Sequence, residues 1–108
     1  MASNTLSGDL ISERYGAALY DLASEKKCID DILNDFELVQ KALKESSELR
    51  QVIKSPLVNS DEKLNILLKL FSKANLHNLT TTFLKVLDNN KRISNIASII
   101  LQLSLIHI

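Results

Sequence analysis

The sequence has one cysteine, one proline, two glycines and no tryptophan in 108 residues, and its charges cancel: 13 Lys+Arg against 13 Asp+Glu. Each shortage excludes something. A lone Cys28 cannot form an internal disulfide, so the fold must hold by burial alone. Two glycines cannot build a phosphate-cradling loop, which needs several close together. Sheets joined by tight hairpins use Gly and Pro at their turns, and one proline with two glycines is too few. A zero net charge argues against nucleic acid as the main partner and against a polybasic membrane anchor. No apolar run approaches the roughly 18 residues that a membrane-spanning helix needs, and the N-terminus lacks the charged-then-apolar order of a signal peptide.

What is present is helical periodicity. Hydrophobic residues make up 45% of the chain, enough for one core in a single domain. A chain this short buries somewhat under about two-thirds of its unfolded surface. Residues 1–8 read as a polar, disordered lead-in, with Ser7 or Asp9 as the cap of a first helix reaching about Lys27. A second helix carries Ile29, Ile32, Leu33, Phe36, Val39 and Leu43 on one face, with Asp30, Asp31, Asp35 and Glu37 off it. Ser46-Ser47 breaks it, and Ser47 is the expected cap of a short third helix ending before Ser55-Pro56. Asn59 and Glu62 resemble a capping box for a fourth helix bearing Leu64, Leu67, Leu68 and Phe71 and ending near Asn75. Leu79, Phe83, Val86 and Leu87 form the stripe of a fifth, closed by a turn at Asn89-Asn90-Lys91-Arg92, where Asn tolerates the left-handed conformation. Ile93, Ile96, Ala97, Ile100 and Leu103 mark a sixth. The expected fold class is therefore all-α, a six-helix antiparallel bundle in a single domain over residues 9–103. The uncharged tail at 104–108 reads as a truncated or artefactual end.

No catalytic set emerges. The histidines, His77 in a joint and His107 in the tail, come with no local motif that would pair them with a nucleophile. Cys28 at a helix start is read as incidental. Asp31 and Asp35 are four apart on one helix but have no histidine near them, so they read as a solvated acidic face and not a metal site. No catalytic residue, cofactor or metal is expected, and the chain reads as a binding module.

The first helix carries the strongest surface signal. Ile11, Tyr15, Ala18 and Leu22 share one stripe, widened by Leu19. Gly16, Ala17, Ala18 and Ala23 let another helix approach closely, and Tyr15 and Tyr20 flank them with rings that keep a hydroxyl for a partner. An Ala-rich helix buried in an ordinary bundle has the same composition.

The segment Arg14-Tyr-Gly-Ala-Ala-Leu-Tyr-Asp-Leu-Ala23 resembles the opening helix of the F-type ATP synthase delta subunit family, whose mitochondrial counterpart is the oligomycin-sensitivity-conferring protein. Gly16 stands where that family usually has Ala. Ser55-Pro-Leu-Val58 with the following Lys63 helix, and Phe83-Leu-Lys-Val-Leu-Asp-Asn-Asn-Lys-Arg92, resemble two further family segments in the same order. The resemblance implies a non-catalytic stator domain, part of the peripheral stalk in ATP synthesis and hydrogen ion transport. It would sit peripherally at the cytoplasmic face of a bacterial inner membrane, or at an organellar inner membrane. It implies that the N-terminal helix of an α subunit lies across the first and fifth helices, on Tyr15, Ala18, Leu22, Thr82, Val86 and Asn89. The family's b-subunit contact belongs to a C-terminal domain that this sequence lacks. No nucleic acid and no small-molecule ligand are implied. The alternatives are an unrelated helical adaptor and an RNA-binding helical domain.

Overall fold

A computed structural model describes residues 2–106, with side chains from residue 10 onward. Six α-helices and one 3-10 turn follow in order: α1 Ala2–Glu25, α2 Ile29–Glu45, α3 Ser47–Lys54, α4 Ser60–Leu70, α5 Asn78–Asn89, the turn Ile93–Asn95, and α6 Ile96–Ile106. No strand occurs among the described residues, as expected from the scarcity of turn-forming glycine. The chain forms one compact globule with a Cα radius of gyration of 13.2 Å.

The helix starts follow from local capping, with corrections to the sequence reading. The backbone of α1 is helical from Ala2, earlier than a cap at Ser7 or Asp9 would place it. Ser46, and not Ser47, caps α3: its Oγ accepts from the Leu49 amide at 3.1 Å. Arg50 reaches back from α3 to donate to the Leu43 and Lys44 carbonyls, satisfying acceptors at the end of α2. Asn59 and Glu62 do meet, at 3.4 Å, but side chain to side chain, without an amide cap. The last α-helical residue of α4 is Leu70, and 71–75 form turns, so this helix is shorter than its periodicity suggested. At the end of α5 the left-handed residue is Lys91 (φ 57°), not an asparagine. The Arg92 amide donates to the Leu87 carbonyl at 2.7 Å across it, and Lys27 (φ 58°) closes α1 in the same way. The tail expected to be artefactual continues α6 as far as Ile106, while His107 and Ile108 lie outside the described residues, as does Met1.

The core is one cluster drawn from every helix. Ile32, Phe36 and Val39 of α2, Leu67 of α4, Leu84 and Leu87 of α5, and Ile96 and Ile99 of α6 are almost wholly buried. Fully burying one such side chain contributes about 1.5–3 kcal/mol before entropy is charged. α1 packs chiefly on α6, and α2 touches α1, α3, α5 and α6.

Two polar details fix the bundle. Asp35, read from sequence as solvated, is 9% exposed and lies inside the α2–α5 contact. Its Oδ2 accepts from the His77 amide at 2.8 Å and from Thr80 Oγ1 at 2.6 Å. A carboxylate at the positive end of α5 also has a favourable dipole interaction. His77 is the cap of that helix, its Nδ1 accepting from the Leu79 amide at 3.0 Å. Thus a residue without a recognisable motif in sequence has a structural role.

Candidate protein-docking site

The inward face of α1 is not the one its periodicity marked. Ser12, Gly16, Leu19 and Ala23 are the buried residues of this helix, spaced i, i+4, i+7 and i+11. The more apolar stripe Ile11, Tyr15, Ala18, Leu22 is offset by one residue, a turn of about 100° around the helix. Ile11 and Tyr15 are half-buried, Ala18 is exposed, and Leu22 is 39% exposed. The small residues divide accordingly. Gly16 serves the chain's own packing: a Cβ there would stand 3.2 Å from Gln102 Cβ and 3.6 Å from the Ile99 carbonyl oxygen. Ala23 is in the core, while Ala17 and Ala18 face out. The close approach read into this segment is therefore supplied at Gly16 by α6, and only its outer half remains open.

α5 shows the same division. Leu79, Thr80, Phe83, Leu84 and Leu87 are buried. Val86, assigned to the core stripe from sequence, is 39% exposed. It aligns with Thr82 and Asn89, both exposed, at i, i+4 and i+7 on the outer face. Helical spacing admitted Val86 to either stripe, and burial places it on the outer one.

Tyr15 joins the two helices. Its ring meets Phe83 of α5 edge-on, with centroids 6.2 Å apart and planes at 75°. Phe83 meets Phe36 of α2 in the same manner, at 5.9 Å and 88°. Three rings thus run from the surface to the core through two T-shaped contacts, an arrangement that sets the positive edge of one ring against the negative face of the other. Past the end of α5, Asn90 Nδ2 donates to the Tyr15 hydroxyl at 3.0 Å. Tyr15, a member of the outer stripe of α1, is thus tied to α5 by its ring and to the residue after α5 by its hydroxyl. Of the six residues expected to contact a partner, Tyr15 is half-buried, and Ala18, Leu22, Thr82, Val86 and Asn89 are exposed.

Among the described residues no cluster of three or more His, Cys, Asp or Glu could hold a metal ion. Cys28 is buried at the start of α2. One perturbed acid lies at the neighbouring edge. The Asp88 carboxyl on α5, hydrogen-bonded to Asp61 of α4 and of like charge, raises the Asp61 pKa above its ordinary value. Among the described residues no helix is long and apolar enough to cross a membrane.

Comparison with known proteins places the chain in a family. The family model "ATP synthase delta (OSCP) subunit" matches residues 11–106. The ATP synthase subunit delta of Nitrobacter winogradskyi is 38% identical over 90 residues, 83% of this chain and 48% of that protein. The subunit delta of Carboxydothermus hydrogenoformans is 38% identical over 82 residues, 76% of this chain and 45% of its own length. That of Bradyrhizobium diazoefficiens is 31% identical over 100 residues, 93% and 54% respectively. The chain spans about half the length of these curated relatives.

Proposed function

The chain belongs to the ATP synthase delta (OSCP) subunit family, and from that premise we propose that it is a non-catalytic stator domain of an F-type ATP synthase. In this reading it docks on the catalytic head by holding the N-terminal helix of an α subunit across α1 and α5. It reaches the membrane only through the complex. Any contact with the b subunit belongs to the part of the relatives that this chain does not span.

The observation that carries the reading is the pair of outward stripes bridged by Tyr15. Ala18, Leu22 and Val86 are exposed and not needed to close the core, and the Tyr15 ring in the α1 stripe is anchored to Phe83 of α5. An amphipathic helix laid across such stripes gains affinity from aliphatic and aromatic anchors. Ala18 offers a low point where a helix backbone can come close. Thr82 and Asn89 place hydrogen-bonding groups along the other rim.

The mechanical role follows. A rotating shaft puts torque on the catalytic head, and a stator must hold that head still through many turnovers. A rigid seat suits this better than a mobile one. Here the seat is rigid because its central tyrosine is fixed by Phe83 and Asn90. Proton transfer and nucleotide chemistry belong to other subunits.

Calorimetric titration with a peptide of the α N-terminal segment tests this. Ala18 is exposed, so Ala18→Asp leaves the fold intact, but on binding it would bury an unpaired charge. The expected result is at least about a tenfold loss of affinity, with Asp31→Asn, a surface control on α2, unchanged. Equal affinity of Ala18→Asp and the parent chain would refute the seat.

A further inference from the structure

α4 keeps two large apolar side chains outside the core, Ile66 at 37% exposed and Leu70 at 53%. Both line a depression of about 450 Å³, together with Glu45 at the end of α2 and Glu48, Leu49 and Val52 of α3. Leu49 is buried and Val52 half-buried, so the apolar surface continues down from the rim. The α2–α3 wall is held by its own hydrogen bonds. Ser46 Oγ accepts from the Leu49 amide, and the Arg50 guanidinium donates to the Leu43 and Lys44 carbonyls. This wall has lost much of its freedom before any partner arrives, which lowers the entropic cost of binding there. None of the lining residues belongs to the outer stripes of α1 and α5.

Charge and shape together select the occupant. The charged groups lining the depression are Glu45 and Glu48, and among the described residues no basic side chain lines it. Lys41, Lys44 and Lys69, on the same helices, stand outside it, and Arg50 is engaged with backbone carbonyls. Among the described residues neither carboxylate is ion-paired. Two carboxylates at the mouth of an apolar cleft repel an anionic lipid surface and nucleic acid phosphates. They complement a partner that carries cations beside its apolar anchors. Ile66 and Leu70 are an i, i+4 pair, the kind of ridge that packs into the groove of another helix. The space is well above the roughly 150 Å³ of a cavity that holds one benzene, so more than one aliphatic side chain fits.

We propose that this α2–α3–α4 cleft is a second protein-docking site, and that its occupant is a basic amphipathic helix. The helix lays aliphatic side chains against Leu49, Val52, Ile66 and Leu70, and its Lys or Arg side chains reach Glu45 and Glu48. The site shares no residue with the α1/α5 seat and stands whether or not the stator reading holds.

The test is a ¹⁵N-¹H NMR titration of the full chain with two synthetic helices of about four turns. Both carry the same leucine stripe, one flanked by arginine and the other by glutamate. Saturable shifts at Glu45, Glu48, Leu49, Val52, Ile66 and Leu70 are expected with the arginine helix alone. Leu70→Gln, with a circular dichroism melt matching the parent, is expected to weaken that binding about tenfold. Glu45→Gln combined with Glu48→Gln is expected to weaken it severalfold at low salt, with the loss shrinking as salt rises. Ala18→Asp is expected to leave it unchanged, so that failure of the α1/α5 seat and failure of this cleft are read separately. Equal binding of the two helices, shifts spread over other acidic residues such as Asp30 and Asp31, or parental affinity in Leu70→Gln overturns the proposal.

Discussion

Two faces of α1 differ by a single residue of register, and the more apolar one is outside. The inward set is Ser12, Gly16, Leu19 and Ala23; the set beside it is Ile11, Tyr15, Ala18 and Leu22. A helix serving only its own core would place the larger apolar side chains inward. Here the inner face uses small residues to bring α6 close, and the Ser12 hydroxyl is buried there with no hydrogen-bond partner among the described residues. The outer face keeps Leu22 and the tyrosine. In the function proposed, the difference separates two demands on one helix, packing at short range within the chain and an apolar surface for another molecule.

The comparison can be broken most directly by truncating a leucine on each face. Leu19→Ala is expected to cost about 2–5 kcal/mol, because a 2%-exposed side chain leaves a cavity. Leu22→Ala is expected to cost under about 1 kcal/mol. Urea denaturation of both variants measures the contrast, and equal losses would erase the distinction between the faces. Asp35→Ala comes next, at about 1–3 kcal/mol, since the buried Thr80 hydroxyl and the His77 amide both lose their acceptor. Asp35→Asn, which keeps an acceptor oxygen, should recover part of that loss. These variants bear on the α5 half of the comparison, because Asp35 fixes where α5 begins.

Gly16→Val should cost about 1–3 kcal/mol through crowding against Gln102 and the Ile99 carbonyl, whereas Ala18→Val should stay within about 1 kcal/mol. Reversal of that order in thermal melts would mean that α6 does not lie on the Gly16 face.

The smallest expected effect is at the edge of the site. The folded state raises the Asp61 pKa, through the hydrogen bond and then the charge of Asp88. A raised carboxyl pKa means that the folded chain favours the protonated acid. That contribution is complete below the ordinary carboxylate range and is lost as pH rises through the raised value. Asp88→Asn removes both causes. It should raise the melting temperature slightly at neutral pH, with the gain disappearing on acidification, and an NMR titration should show the Asp61 pKa falling back. A gain that persists unchanged in acid would contradict this account.

Most of the fold was legible in the sequence because apolar spacing and scarce turn residues both point to helices. The six elements and their order follow from those signals alone. What stayed hidden depended on contacts between helices. Periodicity detects an apolar arc but cannot say which edge of it meets a neighbour, so the exposed Val86 shared a stripe with the buried Leu79, Phe83 and Leu87, and the Ile11 stripe did not mark the inward face at Ser12 and Gly16. Asp35 looked like surface because its partners, His77 and Thr80, lie more than 40 residues away. The cap at Ser46 and the left-handed Lys91 were missed because adjacent residues offered equal chemistry: two serines in one case, and asparagines next to a lysine in the other. The site residues themselves came from family resemblance. Spacing alone allowed Thr82, Val86 and Asn89 a shared face, and the structure shows all three exposed, with Tyr15 of α1 touching the neighbouring Phe83 and Asn90.

The central claim is that the outer stripes of α1 and α5 form a seat for a helix of the catalytic head. The most direct measurement is a ¹⁵N-¹H NMR titration of the chain with the α N-terminal peptide. The account predicts that amide shifts concentrate at Tyr15, Ala18, Leu22, Thr82, Val86 and Asn89. Shifts concentrated instead around Ile66 and Leu70, on the exposed side of α4, would contradict it.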